Sequence, residues 1–471
     1  MRKTKIVCTI GPASESPVVI ERLIKAGMNV ARFNMSHGTH EEHLLKIQRI
    51  REARDKLALP VAILADTKGP EIRIRTFEKG KVTLKEGEEF TLTTKKVEGN
   101  EKMVSLSYEG LPLYIKKGDT ILLNDGLIEL QAQAVNETDI KCLVVHGGEL
   151  SNRKSINLPG IKIDMPYLSE ADKKDIAFSC EQDVDYIALS FVRSADDVRI
   201  AKQFVLAHGG ANIQLIAKIE NREGVNNIDE ILELADGIMV ARGDMGVEIP
   251  FEELPNIQKM LIKKCYMRGK KVITATQMLE SMINNPRPTR AEISDVANAV
   301  FDGSSAIMLS GETAAGKYPV EAVKTMAKIA EKAESGLDFK QRFNDITVNI
   351  KTVTDAISHS AVGASFDLDA HAIVTVTTSG YTSRKVSRFR PTCPIIGATT
   401  DVKVYNQLSL NWGVVPVMAV KQTTPEALFN HSILLAKSTG CVKEGDIIVL
   451  VGSSVVGASG TIDTLRIDKV E

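Results

Sequence analysis

The sequence predicts an α/β protein built on a (β/α)8 barrel that is interrupted after its third strand and followed by an open α/β sheet. Three observations carry this. Short β-rich runs alternate with amphipathic helical patterns, the order that builds a parallel sheet covered by helices. Residues 70–163 break the alternation, with no strong helical periodicity and with turn signals at Lys79-Gly80, Lys117-Gly118-Asp119 and Asp125-Gly126. The flanking segments, 1–69 and 164–345, together come to about 250 residues with eight strand-like runs, the length and strand number of a TIM-type barrel.

The elements follow in order. KIVCTI is the first strand, and SPVVIERLIKAG is its helix, with Val19, Ile20, Leu23 and Ile24 at helical spacing. NVARFNM is the second strand. Its helix opens on a capping box, Thr39 to Glu42, in which a hydroxyl and a carboxylate each satisfy a free backbone N–H. VAILAD is the third strand and ends at Asp66. Residues 70–163 read as an inserted, barrel-like β domain with alternating runs such as KVTLKEGEEFTLTT. From residue 164 the strands DYIALSFV, IQLIAKIE, GIMVARG, KVITAT and SAIMLS alternate with helices such as DDVRIAKQFVLAHG and TRAEISDVANAVF. Residues 346–471 place HAIVTVTTS, CPIIGAT, GVVPVMAV, DIIVLVG and TLRIDKV between helical stretches, an open and mostly parallel sheet.

Composition narrows the function. Of 471 residues, 43% are hydrophobic, 25% charged and 5% aromatic, which fits a soluble globular chain and excludes collagen-like or disordered classes. Lys and Arg number 59 against 60 Asp and Glu, so no wholly basic surface is available and no nucleic-acid partner is expected. The N-terminal apolar run is cut at Gly11-Pro12, too short for a signal peptide, and no window of 18 or more apolar residues marks a membrane span. Six cysteines without a CxxC pair fit a reducing compartment, so a cytoplasmic location is expected.

In a barrel of this kind chemistry sits at the C-terminal ends of the strands. Strand two ends Arg32-Phe33-Asn34-Met35-Ser36, and period-2 alternation sends Arg32, Asn34 and Ser36 to one side. A guanidinium suits phosphate and the oxygens suit a cation, although a capped strand-to-helix turn explains this segment equally well. Strand three ends Asp66-Thr67-Lys68-Gly69-Pro70-Glu71-Ile72-Arg73, where a solvated hinge accounts for Lys68 but not for Asp66. Strand five ends Lys218-Ile219-Glu220 and strand six Arg242-Gly243-Asp244, so two carboxylates from adjacent strands join a lysine. Two carboxylates with few other ligands suit Mg2+ or Mn2+, and a lysine beside the ion can stabilise an enolate or a moving phosphoryl group. A salt bridge inside the barrel is the competing explanation, a costly one without a ligand. Strands seven and eight add Thr274, Thr276, Ser310 and Glu312.

Other segments carry weaker signals. NPRPTRAE leads into a second capping box, Thr289 to Glu292. His37, His40 and His43 lack the further ligand that zinc requires. No P-loop or protein-kinase signature occurs. Thr377-Thr378-Ser379-Gly380-Tyr381-Thr382 follows a strand and opens a helix, a place where phosphate binds but where an ordinary N-cap is the more frequent explanation.

Taken together, KIVCTIGPAS, GMNVARFNMSHG, ADTKGPEIR, IAKIEN, IMVARGDMGVEIP, TATQMLESM, NPRPTRAE and MLSGETAAGKYP resemble the pyruvate kinase family in order and over essentially the whole chain. The resemblance implies phosphoryl transfer from phosphoenolpyruvate to ADP, giving pyruvate and ATP, with Mg2+ (or Mn2+) and K+. It implies that Glu220 and Asp244 ligate the divalent ion. Lys218 would stabilise the phosphoryl group and enolate, and Arg32 would contact the phosphoryl. The amides of Gly243 and Asp244, with Thr276, would hold the substrate carboxylate. Asn34, Ser36, Asp66 and the carbonyl of Thr67 match a potassium site, and Glu71 matches its potassium-dependent form. Asn34, His37 and Arg73 match positions near the nucleotide. Protonation of the enolate would come through water near Thr276, with Ser310 and Glu312 as outer participants.

The resemblance further implies a lid role for the insert, a homotetramer, and a phosphorylated effector at Thr377, Thr378, Ser379 and Thr382. Two departures stand out: Ser194 occupies a position where many relatives have a basic nucleotide contact, and Thr378 one where some sugar-bisphosphate-activated relatives have lysine. The chain also ends at Glu471, without the extra C-terminal domain of some bacterial relatives. A metal-dependent aldolase or lyase acting on pyruvate enolates is the alternative, since Lys, Glu and Asp at strand ends serve that chemistry too. A scaffold or effector sensor without catalysis is the non-enzymatic reading.

Overall fold

The computed structural model describes residues 1–345, 350–453 and 462–471, and the expected boundary after residue 345 borders a segment outside the described residues. Eight parallel strands close into a barrel: Lys5–Thr9, Val30–Asn34, Ala62–Asp66, Tyr186–Leu189, Gln214–Ile219, Gly237–Ala241, Lys271–Ala275 and Ala306–Leu309. The first strand pairs with the last from Lys5↔Ala306 to Cys8↔Leu309, which seals the ring.

Alternation along each strand divides the apolar residues between two cores. Val7, Val30, Leu64, Ile216, Met239 and Ile273 fill the barrel interior. Their neighbours Ile6, Cys8, Ala31, Phe33, Ala217 and Val240 pack outward beneath the helices. Complete burial of such a side chain stabilises by about 1.5–3 kcal/mol. Near-continuous apolar runs, rather than half-polar strands, are therefore the pattern a sheet covered on both faces selects.

Helix starts obey local chemistry. Thr39 and Glu42 form the expected capping box, as do Thr289 and Glu292, and a third joins Ser169 to Asp172. The cysteines of the chain are all free, five buried and Cys441 partly so.

The insert at residues 70–163 is all β apart from one short turn at Leu111–Leu113. It folds as a seven-stranded sheet and a two-stranded ribbon around its own core of Phe90, Leu92, Val104, Leu130 and Ile140. It rests on the barrel mouth. Asn157 Nδ2 donates to Glu248 Oε1 at 3.1 Å, Lys162 Nζ reaches Glu223 at 2.7 Å, and a Cβ placed on Gly126 would meet Val247 at 3.5 Å.

The C-terminal sheet has the order Val414–Met418, Ile395–Thr399, Ala372–Val376, Ile447–Gly452, Thr464–Lys469, parallel except for its last strand. It sits under the opposite end of the barrel. Leu410 enters the interior core, Tyr186 Oη donates to the Gln407 carbonyl at 2.5 Å, and Lys5 Nζ donates to the Val414 carbonyl at 2.7 Å. One mouth of the barrel is plugged, so the open C-terminal end is left for a ligand. Among the described residues no helix is long and apolar enough to cross a membrane.

Candidate active site

The strand ends bring the expected charges into one cluster. Asn34 and Asp66 are register partners on strands two and three, and Arg32 lies two residues back on the same face as Asn34. The Arg32 guanidinium donates through Nε to Asp66 Oδ2 at 2.6 Å and through Nη1 to Thr9 Oγ1 at 2.9 Å. From strand five, Lys218 Nζ stands 3.2 Å from Asp66 Oδ1 and 2.9 Å from Glu220 Oε1. Burial alone would raise the Asp66 carboxyl, but Arg32 and Lys218 on its two oxygens hold it below the ordinary aspartate range.

Lys218 and Glu220 are both buried. Burial disfavours the Lys218 ammonium, yet Asp66, Glu220 and Asp244 outweigh that penalty and hold it protonated, above the usual lysine range. Glu220 behaves in the opposite sense. Burial, helped by the neighbouring Asp244, pushes its carboxyl up to about 8 against the pull of Lys218. Oε2 accepts the Phe191 N–H at 2.5 Å, whereas the buried Oε1 has charge contact with Lys218 but no hydrogen bond of proper geometry.

That orphaned oxygen, with the Asp244 carboxylate from the adjacent strand end, fits a divalent cation. Among the described residues no group of three or more His, Cys, Asp or Glu forms a complete protein cage. A hard ion held by two carboxylates completes its shell with water and substrate oxygens, as Mg2+ does.

Gly243 and Asp244 lie in the first turn of the short helix Arg242–Glu248, and the Gly243 N–H donates to Thr276 Oγ1 at 2.8 Å. Arg242 ties that turn to strand seven by donating to the Thr276 carbonyl at 2.6 Å while pairing with Asp295 at 2.7 Å. Thr276 itself has φ 71°, and Phe191, whose N–H holds Glu220, has φ 54°. Both residues therefore sit in left-handed backbone, a costly place for a β-branched or bulky side chain and one that clusters at functional sites.

Ser190, at the end of strand four, is a member of this cluster that the apolar run DYIALSFV does not mark. Its hydroxyl accepts from Lys218 Nζ at 2.7 Å and donates to the Thr67 carbonyl at 2.7 Å, while its N–H reaches Thr67 Oγ1 at 3.2 Å. The rule that polar groups at strand ends carry chemistry points to it once the strand is ended at Leu189.

The remaining expected residues lie around this centre. Asn34 Oδ1 accepts the Ser36 N–H at 3.1 Å, so those two share one turn. His37 is exposed just beyond them. Arg73, on the hinge of the insert, bonds Glu71 Oε2 at 2.8 Å and the Arg153 carbonyl at 2.7 Å. Burial raises the Glu71 carboxyl despite Arg73, with Asp244 and Asp125 adding to the push. Ser194 opens a helix without capping it, and Arg193 beside it pairs with Asp197 at 3.1 Å. The two oxygens of Glu312 accept the N–H groups of Leu279 at 3.0 Å and Ser310 at 2.7 Å, which braces the last two strand ends.

The Ser/Thr loop lies far from the cluster, in the C-terminal sheet. Thr378 and Ser379 are exposed, whereas Thr377 and Thr382 are buried beside the helix Tyr381–Ser387.

Residues 1–323 match the family model described as "Pyruvate kinase, barrel domain", and residues 355–468 the one described as "Pyruvate kinase, alpha/beta domain". A protein named pyruvate kinase from Geobacillus stearothermophilus is 51% identical over 469 residues, which is 99% of this chain and 80% of that protein. Another from Clostridium acetobutylicum is 46% identical over 473 residues, covering 100% of both chains, and one from Staphylococcus haemolyticus is 48% identical over 100% of this chain and 81% of its own. With the barrel, the C-terminal sheet and nearly the full length matched, the chain belongs to the pyruvate kinase family.

Proposed function

We propose that this chain transfers the phosphoryl group of phosphoenolpyruvate to ADP, giving pyruvate and ATP, at the C-terminal mouth of its barrel. The observation that carries the reading is Lys218, kept charged between Asp66 and Glu220 at a mouth that also presents Arg32, Asp244 and Thr276.

Glu220 and Asp244 would hold Mg2+ or Mn2+, which when bound neutralises charge on substrate oxygens. Arg32 presents a guanidinium to the phosphoryl group. Lys218 offers a fixed positive charge to both the phosphoryl oxygens and the enolate left behind, charge that develops only as the bond breaks. The Gly243 and Asp244 amides and the Thr276 hydroxyl receive the substrate carboxylate and orient it. Water near Thr276 delivers the proton that converts the enolate to pyruvate, a step that draws the transfer forward. Asn34 and Ser36 at the end of strand two, with Asp66 and the Thr67 carbonyl at the end of strand three, offer oxygens suited to K+, and Asn34, His37 and Arg73 would face the nucleotide.

The division into a catalytic barrel (1–69 and 164–345), a lid (70–163) that excludes water during transfer, and an effector-binding unit (346–471) completes this reading. A phosphorylated effector would meet Thr377, Thr378, Ser379 and Thr382. A cytoplasmic homotetramer is the form expected from the family. The test is pyruvate formation from phosphoenolpyruvate and ADP with Mg2+, run with and without K+. Product that depends on both ADP and K+ supports the assignment. Pyruvate formed without nucleotide would mean that water accepts the phosphoryl group and would replace the assignment with a phosphohydrolase, and no turnover under any condition with a bound effector would leave a sensor.

A further inference from the structure

A cavity of about 350 Å3 lies on the seam between the barrel helices and the C-terminal unit, away from the active site. The barrel segment contributes Lys263, Tyr266, Phe301, Phe339 and Arg342, and the C-terminal unit contributes Arg390 and Trp412. Its volume falls within the range of small-molecule sites.

Two properties define what it fits. Its walls are aromatic: the Phe339 and Trp412 rings lie 5.6 Å apart, and Tyr266 and Phe301 add to the lining. Its lining carries three cations, Lys263, Arg342 and Arg390, against three carboxylates, Asp302, Glu334 and Asp345, and among these charged groups the buried atoms without a hydrogen-bond partner belong to Arg390. Arg390 is 7% exposed and held between the rings of Trp412 at 4.6 Å and Tyr266 at 5.3 Å. It uses Nη2 on the Gly303 carbonyl, but its buried Nε and Nη1 have no acceptor. Among the described residues the Arg342 side chain donates to the Phe301 carbonyl alone, and Lys263 is exposed with no ion pair.

The three lining carboxylates already accept hydrogen bonds. Glu334 accepts the N–H groups of Lys3 and Thr4, Asp302 accepts from Gln258, and Asp345 accepts from Gln341. Behind Arg390, in a narrower cleft that Tyr266 and Trp412 also line, stand Lys270, Lys271, Arg384 and Arg388. A buried cation with unmade hydrogen bonds costs free energy until an acceptor arrives, so this wall favours an anion.

We infer that the seam cavity is a binding site for a small organic anion with a flat apolar body, such as an aromatic carboxylate or sulfonate. The ring would lie against Trp412, Phe339 and Tyr266, and the anionic group would face Arg390 with Lys263 and Arg342 at the rim.

Trp412 is the only tryptophan of the chain, so it reports on this cavity directly. Full-length protein is titrated with 1-anilinonaphthalene-8-sulfonate while Trp412 is excited, and bound probe is displaced with benzoate or with the cation benzylamine. The expected result is saturable energy transfer at one site per chain, displaced by benzoate and not by benzylamine. Lys263→Glu, on an exposed side chain, is expected to weaken the probe by about tenfold, as is Arg390→Lys, which keeps charge but not the guanidinium. Transfer that does not saturate, equal displacement by benzylamine, or unchanged affinity in Lys263→Glu would each overturn the assignment.

Discussion

Lys218 and Glu220, two residues apart at the end of strand five, bring Nζ and Oε1 to 2.9 Å, yet the ammonium directs its hydrogen bond at Ser190 instead. The carboxylate oxygen thus faces a cation without being satisfied by it. Lys218→Met should remove the charge that meets the departing enolate and lower turnover by at least about 10³-fold. Glu220 and Asp244 would remain, so Mn2+ titration should still detect binding. Near-parental turnover in the variant would remove Lys218 from the reaction.

Ser190 links Lys218 to the Thr67 carbonyl, so it positions the ammonium and one ligand of the expected potassium site together. Ser190→Ala should lower kcat by about tenfold, the scale of one lost hydrogen bond to a charged group, with little change in KM for phosphoenolpyruvate. The concentration of K+ giving half-maximal rate should rise as well. A structural role alone would leave that potassium dependence unmoved.

Much of this site is legible in the linear sequence. Period-2 alternation places Arg32 beside Asn34 and Lys218 beside Glu220, and the strand-end rule collects Asp66, Asp244 and Thr276 at one mouth. What escapes is contact between distant segments. Leu410 enters the barrel floor from the C-terminal unit and Gln407 meets Tyr186 across 221 residues of chain, and no local pattern announces them. Ser190 escapes because its strand is apolar throughout. The family resemblance makes Glu312 an outer participant in proton delivery, whereas its two backbone partners are visible only in three dimensions.

The barrel floor carries its own pH dependence. Burial lowers the Lys5 ammonium to about 7, with Arg2 adding to the effect and Glu334 opposing it, and Lys5 is held on the Val414 carbonyl. The unfolded chain keeps this lysine protonated to about pH 10.4, so between pH 7 and that value it binds more protons than the native state. The cost of burying the charge is full below pH 7 and relieved as pH rises toward 10. Lys5→Met should therefore show its greatest stability relative to the parent at or below pH 7, with the difference shrinking at higher pH. Thermal unfolding of both proteins at several pH values measures this, and a constant difference would contradict it.

The effector loop gives a test away from the barrel mouth. Ser379 is exposed at the turn into the short helix, so Ser379→Asp adds negative charge without disturbing the core. Activation by a phosphorylated effector should weaken while basal turnover persists, because like charges repel at that turn. Unchanged activation would move the effector elsewhere.

Thr276 offers a case in which function and stability pull apart. A threonine at φ 71° stores strain of about 1–3 kcal/mol, because a β-branched side chain crowds left-handed backbone. Thr276→Ala removes the hydroxyl that meets the Gly243 N–H but keeps a Cβ in the strained conformation. Thr276→Gly removes the same hydroxyl and the strain together. At an ordinary strand or helix position glycine is less stable than alanine by about 0.5–1 kcal/mol, owing to the entropy of the unfolded chain. Here the order should reverse, with Thr276→Gly melting above Thr276→Ala. Both variants should lose kcat/KM for phosphoenolpyruvate by a similar factor, about 10–100-fold, since each lacks the group that orients the substrate carboxylate. If alanine proved the more stable of the two, the left-handed conformation would carry no cost. If only one variant lost activity, the role of Thr276 would lie in the backbone and not in its hydroxyl.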